Sequence, residues 1–370
     1  EKEHPDVIIT SYDLLKRDIL WYHEKEFRFE IIDEAQYIKN SSTQAAKSVK
    51  AVPAKTRFAL TGTPIENHLG ELWSIFDFLM PGFLYSYRKF RERYELPIVK
   101  NQDPEALTAL RRMTGPFVLR RLKKDVLREL PGKEERIVYS AASGRQQKLY
   151  TASALKLKEA LAGGAWSGNG KLEVLSQLMR LRQICCDPAL CFEDYTGESA
   201  KLETCVSLIA SASAAGHKIL LFSQFASMLE RIRERLLQEG ISSHLLVGAT
   251  PKEERSRMVQ AFASDEVPVF LISLKAGGTG LNLTAADIVI HYDPWWNVAA
   301  QNQATDRAYR IGQEKPVTVY KLILKDTIEE NLLKLQNAKL ALAAQVVSEG
   351  MVSLGDLSQN ELMELFEQNP

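Results

Sequence analysis

The stretch FEIIDEAQ, Phe29 to Gln36, ends an apolar run in two adjacent carboxylates, Asp33 and Glu34. In phosphoryl transfer to water, one carboxylate holds the magnesium shell around the β and γ phosphates and a second orients the attacking water. Asp33 suits the first task and Glu34 the second. An Asp-Glu pair at the end of a strand is also common in unrelated proteins, so the pair alone leaves an ordinary strand end open. The next stretch, LTGTP at Leu60 to Pro64, offers Thr61 and Thr63 around Gly62. Gly62 permits a tight turn, and hydroxyls there could sense a γ phosphate and couple its loss to the domain; a plain strand-to-helix connection is the alternative.

A third group is QNQATDRAYRIGQ, Gln301 to Gln313. On a helix, Gln303, Arg307 and Arg310 are spaced by four and three and project from one face. Two guanidiniums on one face make a clamp suited to a triphosphate, the arginine-finger role. A solvated basic face is the competing reading. Just upstream, DPWWN, Asp293 to Asn297, places Trp295 and Trp296 at a strand-to-helix turn, where aromatics serve either a core or a nucleic-acid groove. SLKAGGTGLNL, Ser273 to Leu283, has three glycines that let backbone amides approach phosphate oxygens. The phosphate-loop pattern G-x-x-x-x-G-K-[ST] occurs nowhere in the chain.

These groups need strand ends to carry them. VIIT (Val7 to Thr10), FEIID (Phe29 to Asp33) and RFALTG (Arg57 to Gly62) are short apolar runs, each followed by a helical segment. Such runs fit a parallel sheet covered on both faces, and ligands of open parallel sheets sit beyond the carboxyl ends of the strands. Helical periodicity then dominates from Tyr85 to about Leu190, apart from EERIVYS and the weaker FVLRR. GGAWSGNG, Gly163 to Gly170, reads as a loop between two helices. From Lys201 the α/β alternation returns with KILLFS, SHLLVG, VFLIS, DIVIHY and VTVYKLI, a second parallel sheet. A long helix from about Thr327 and an acidic amphipathic segment, LSQNELMELFEQ, end the chain.

The 370 residues carry 47 basic and 47 acidic side chains, so net charge does not announce a nucleic-acid binder. The charge is segregated, however. Between Leu84 and Lys148 there are sixteen Lys and Arg against eight Asp and Glu, including LRRLKKDVLREL at Leu119 to Leu130. A solvated helix face and a phosphate-binding patch both fit that run. No run approaches the ~18 apolar residues of a membrane span, so no membrane partner is expected. The four cysteines lack metal-ligand spacing and are expected as reduced thiols.

Taken in order, VIITSY, DEAQ, LTGTP, LRRLKKDV, LLFSQF, AGGTGLNL, HYDPWWN and QATDRAYRIGQ resemble the Swi/Snf family of DNA-dependent ATPases in helicase superfamily two, from Val7 to about Leu340. The resemblance implies an α/β fold of two RecA-like parallel-sheet lobes that clamp ATP and track along double-stranded DNA without separating its strands. By that likeness residues 1–82 are the latter part of lobe 1, 83–198 helical protrusions and linker with a returning lobe 1 strand near 115–140, 199–346 lobe 2, and 347–370 a tail.

Carried across by motif, Asp33 and Glu34 match the magnesium-binding and water-activating carboxylates, and Arg307 and Arg310 the arginine fingers. Gly280, Asn282 and Gln303 fall on the nucleotide side; Gln36, Thr61, Gly62 and Thr63 on the coupling motifs. Thr10, Ser11, Ser223, Gln224, Lys275, Gly277, Gly278 and Trp295 match the DNA track, and Arg120, Arg121 and Lys123 lie in a basic block expected to face DNA or the interdomain joint. The implied cofactors are ATP and magnesium, and the implied partners are double-stranded DNA and a DNA-bound protein cargo. Family members place a Walker loop upstream of VIITSY, so this chain is expected to be the later part of such a protein and not to hydrolyse ATP alone. The compact insertions point to a bacterial or archaeal cytoplasm; a eukaryotic member would be nuclear. A strand-separating helicase and an ATP-independent DNA-binding module are the alternatives.

Overall fold

The structure, a computed structural model, describes residues 5–62, 69–121, 123–127, 129–142, 144–163, 170–274, 276, 281–334 and 336. The chain divides into two compact units at Arg120 and Arg121.

In the first unit, β1 (Phe27–Ile32) and β2 (Ala54–Ala59) pair in parallel, with Phe29 opposite Thr56 and Ile32 opposite Ala59. Helix α1 (Tyr12–Arg17), the Gln44–Ala51 helix α2 and the Leu69–Leu79 helix α3 bury Leu15, Val49, Ile75 and Phe78 against Ile32, Ala35 and Ile38. A second cluster joins Leu72 and Phe76 of α3 to Phe90, Tyr94 and Leu110, the last from helix α4 (Pro104–Thr114). The other side of the ribbon is bare: Phe29, Ile31, Phe58 and Leu60 are 48–63% exposed. The expected strand at Val7 to Thr10 does not form, because β1 pairs only with β2 and no neighbouring strand among the described residues offers that run a ladder.

The second unit holds a six-stranded, all-parallel sheet in the order β3-β8-β7-β4-β6-β5. Its strands are β3 (Lys133–Ser140), β4 (Ile219–Ser223), β5 (Ser243–Leu246), β6 (Val269–Ser273), β7 (Ile288–His291) and β8 (Val317–Leu324). Strands β4, β6 and β7 are buried along their whole length, as continuous apolar runs require when helices cover both faces. The period-2 alternation divides β4 cleanly. Ile219 and Leu221 join the cluster with Val206 and Ile209 of the Ala200–Ala214 helix and Leu229 and Ile232 of the Ala226–Gln238 helix; Leu220 and Phe222 join the opposite cluster with Phe262 and Ala304.

Two boundaries depart from expectation. The helical segment expected over 83–198 is divided between the units, since its helices through Thr114 lie before the division at Arg120 and those from Lys123 onward lie after it. The strand expected to return to the first sheet near 115–140 is β3, and it pairs with β8, Lys133 opposite Val317 through Ser140 opposite Leu324. Its eight-residue ladder lies on the edge of the second sheet. FVLRR, the weaker candidate, forms no strand. Helices Gly144–Ala162 and Gly170–Cys186 flank the expected Gly/Ser loop, and that loop, residues 164–169, lies outside the described residues, as does the acidic tail 347–370.

Candidate functional site

Because β1 and β2 are parallel, their carboxyl ends lie side by side and bring two separate motifs together. The backbone closes the junction: Leu60 N donates to the Ile32 carbonyl at 2.8 Å and Ala35 N to the Leu60 carbonyl at 2.9 Å. Asp33 is exposed, and its Oδ1 accepts from Glu34 N at 2.8 Å, leaving its second oxygen open. Glu34 sits in the left-handed region at φ 51°, where side chains are rarely held without tertiary support. That support is a hydrogen-bond chain. Thr61 Oγ1 donates to Gln36 Oε1 at 2.9 Å, and Gln36 Nε2 donates to Glu34 Oε2 at 2.6 Å. Gln36 thus couples the carboxylate of one motif to the hydroxyl of the next. Tyr12, whose role sequence reasoning missed, donates its hydroxyl to the Asp33 carbonyl at 2.7 Å. Its phenol is pushed up to about 12, by burial first and then by the charges of Asp33 and Glu34. Gly62 has open space where a Cβ would stand, and Thr63 lies outside the described residues.

The exposed carboxylate of Asp33 is an oxygen donor of the hard type magnesium selects, and the half-buried Glu34 is held beside it. These residues fit a divalent cation with a water-orienting neighbour.

In the second unit the arginine motif departs from expectation. The helix α5 (Val298–Thr305), capped where Asn297 Oδ1 accepts from Ala300 N at 2.8 Å, stops before both arginines. Residues 306–310 form a tight turn instead, with Ala308 N bonded to the Thr305 carbonyl and Arg310 N to the Ala308 carbonyl. Arg307 and Arg310 therefore do not share a helix face with Gln303, which is half-buried on α5. What aligns them is the end of the glycine motif. Leu283 N donates to the Arg307 carbonyl at 3.0 Å, and Arg310 Nη1 donates to the Leu281 carbonyl at 3.1 Å. Arg307 is buried, Arg310 half-buried, and Asn282 is exposed between the two anchoring leucines. Gln313 Nε2 reaches the carbonyls of Thr284, Ala286 and Ala308, locking the turn from inside. His291 Nε2 lies 2.9 Å from Thr305 Oγ1 at the end of α5, and burial pushes that imidazole down to about 3, so it is neutral at pH 7.

The residues assigned to a DNA track fare unevenly. Thr10 is exposed. Ser11 is exposed too, and its Oγ caps α1 by accepting from Leu14 N at 3.3 Å. Arg120 and Arg121 are exposed. Ser223 is fully buried and donates its hydroxyl to Asp293, so it supports the loop from beneath rather than meeting a phosphate. Lys123 is not a free cation either, since its ammonium pairs with Asp306 at 2.7 Å. Gln224 and Trp295 are half-buried at the ends of β4 and β7. Lys275, Gly277, Gly278 and Gly280 lie outside the described residues.

Sequence reasoning also missed Arg182. This buried arginine of the Gly170–Cys186 helix donates to Gln224 Oε1 at 3.0 Å and to the Pro294 carbonyl at 2.6 Å, and it stacks 5.4 Å from the Trp296 ring. It ties the loops after β4 and β7 to the helical segment, and it assigns Trp296 to packing. Nothing in the sequence around it, RLRQICC, sets it apart from the neighbouring Arg180.

Comparisons with known proteins identify the family. The SNF2-related domain matches residues 2–190 and the helicase conserved C-terminal domain residues 200–312. An uncharacterised ATP-dependent helicase of Mycoplasma genitalium is 40% identical over 98% of this chain and 34% of its own length. The mouse SWI/SNF-related matrix-associated actin-dependent regulator of chromatin subfamily A member 1 is 34% identical over 98% of this chain and 36% of its own length. The chain therefore spans about a third of the length of these relatives. Among solved structures, the Sulfolobus solfataricus SWI2/SNF2 ATPase core in complex with double-stranded DNA is 36% identical, covers 97% of this chain and 76% of its own, and superposes with a TM-score of 0.55. The α/β architecture with parallel sheets is that of the two RecA-like lobes of such a core. By these matches and by its own motifs, the chain belongs to the SNF2 family, with a helicase C-terminal domain following the SNF2-related one.

Proposed function

We propose that this chain supplies the hydrolytic and DNA-tracking machinery of an ATP-dependent motor that moves along double-stranded DNA without separating its strands. The observation that carries the reading is the Thr61–Gln36–Glu34 hydrogen-bond chain beside the exposed carboxylate of Asp33. Asp33 would hold the magnesium ion, which supplies charge neutralisation at the phosphates when bound. Glu34, fixed by Gln36, orients the attacking water and accepts its proton. Thr61, at the other end of the chain, links the state of Glu34 to the end of β2. Arg307 and Arg310 supply positive charge against the transferring phosphoryl group, the task for which a planar guanidinium is suited. The double-stranded DNA is gripped through its backbone by the exposed Thr10, Arg120 and Arg121, without reading of bases. The DNA complex of the Sulfolobus core supports this partner, and the name of the mouse relative favours a chromatin-type or other DNA-bound protein as the cargo.

The test is phosphate release from Mg-ATP by the intact protein, with and without linear duplex DNA. Glu34→Gln and Arg310→Ala should each lower DNA-stimulated release by about 100-fold or more, the scale of removing a positioned transition-state group. Turnover near wild type in both would remove the hydrolytic assignment. Efficient displacement of a strand from a forked duplex would replace the translocase reading with an unwinding one. DNA binding that falls steeply with salt but ignores ATP would leave only a binding module.

A further inference from the structure

We propose that Lys123 is a positioning residue for the arginine turn, holding Arg307 and Arg310 in place through two contacts made by one ammonium group. In the sequence this lysine belongs to a basic run and invites a DNA contact. In the structure its Nζ pairs with Asp306 at 2.7 Å and donates to the Tyr309 carbonyl at 3.1 Å. Asp306 immediately precedes Arg307, and Tyr309 immediately precedes Arg310. The two contacts therefore bracket the arginine pair.

The turn needs such help because it is not helical. α5 ends at Thr305, and past it the ladder turns irregular: Asp306 N and Tyr309 N still reach carbonyls four residues back, whereas Arg307 N and Ala308 N reach three and Arg310 N two. Its inner side is held by Gln313 and by the bond from Leu283. Its outer side is held by Lys123, with Lys133 of β3 lying 6.0 Å over the Tyr309 ring. The side chains of Lys123 and Asp306 are 41% and 43% exposed, a setting in which an ion pair adds little to folding. Fold stability therefore does not account for the arrangement. Placement of a guanidinium against a phosphoryl group does, because small displacements there change rate strongly.

The inference rests on the proposed hydrolytic role of the turn, and the experiment separates the two. DNA-stimulated phosphate release and duplex binding would be measured for the intact protein carrying Lys123→Ala, Asp306→Asn, or the charge-exchanged pair Lys123→Glu with Asp306→Lys, alongside Arg310→Ala. Each single substitution should lower kcat about tenfold, with the KM for ATP, the DNA affinity and the thermal midpoint close to wild type. The exchanged pair should recover part of the loss, through the re-formed ion pair but not the bond to the Tyr309 carbonyl, which a carboxylate cannot donate; neither a DNA-phosphate contact nor a general packing role would give that recovery. If Lys123→Ala weakens DNA binding while Asp306→Asn leaves turnover intact, Lys123 serves DNA and the proposal is overturned. If Arg310→Ala abolishes turnover but neither partner of the pair matters, the positioning role alone fails. If Arg310→Ala leaves turnover intact, the underlying reading of the turn fails with it.

Discussion

At the scale of single residues, the carboxylate pair was legible because its chemistry is carried by residue type and by position at a strand end. Its environment was not. The sequence shows Gln36 two places from Glu34, but only the folded β1–β2 junction brings Thr61 within reach of it. The left-handed backbone of Glu34 was likewise invisible, because no turn residue announces it. This conformation gives a test in stability rather than rate. Replacing Glu34 by glycine relieves the backbone, whereas alanine keeps a Cβ in the same strained region; both remove the carboxylate. Thermal or urea unfolding should therefore find Glu34→Gly more stable than Glu34→Ala by about 1 kcal/mol. Equal midpoints would mean that the backbone there relaxes out of the left-handed region once the hydrogen bond from Gln36 is lost.

At the scale of elements, the buried strands of the second sheet read clearly as continuous apolar runs, and KILLFS, VFLIS, DIVIHY and VTVYKLI each gave a strand within a residue or two. Helix ends read poorly. Periodicity carried QATDRAYR on as a helix, whereas tertiary bonds from Leu283 and Gln313 capture the backbone after Thr305 and turn it. Strand partnership was also hidden, since nothing local tells β3 to join β8. Packing of the Ala200–Ala214 helix against the segment after β8 relies on a buried pair: Lys201 Nζ lies 2.5 and 2.7 Å from the two oxygens of Glu329, and Glu329 Oε2 also accepts from Leu324 N. Lys201→Met would strand that carboxylate in the core and should cost about 3–5 kcal/mol in urea denaturation. Adding Glu329→Leu should restore most of the loss, because an apolar pair of similar volume removes the orphaned charge. A single mutant that unfolds like wild type would show that water or a shift of the helix satisfies Glu329.

At the scale of the whole chain, size and the alternation of strand and helix patterns foretold two α/β units, and the balanced net charge concealed the basic stretch from Leu84 to Lys148, which contains the division at Arg120 and Arg121. What no pattern foretold was the bare side of the β1–β2 ribbon. FEII and RFAL read as short apolar runs of a sheet covered on both faces, with Phe29, Ile31, Phe58 and Leu60 on one face and Glu30, Ile32, Arg57 and Ala59 on the other. In this chain one of those faces meets solvent, through Phe29, Ile31, Phe58 and Leu60. The consequence is colloidal. Among the described residues the outer edges of β1 and β2 are unpaired, and open edges beside an aromatic surface are a template for adhesion. Sedimentation at rising concentration should show reversible self-association that added salt strengthens and that Ile31→Lys weakens; a monomer at every concentration would place the adhesive surface elsewhere.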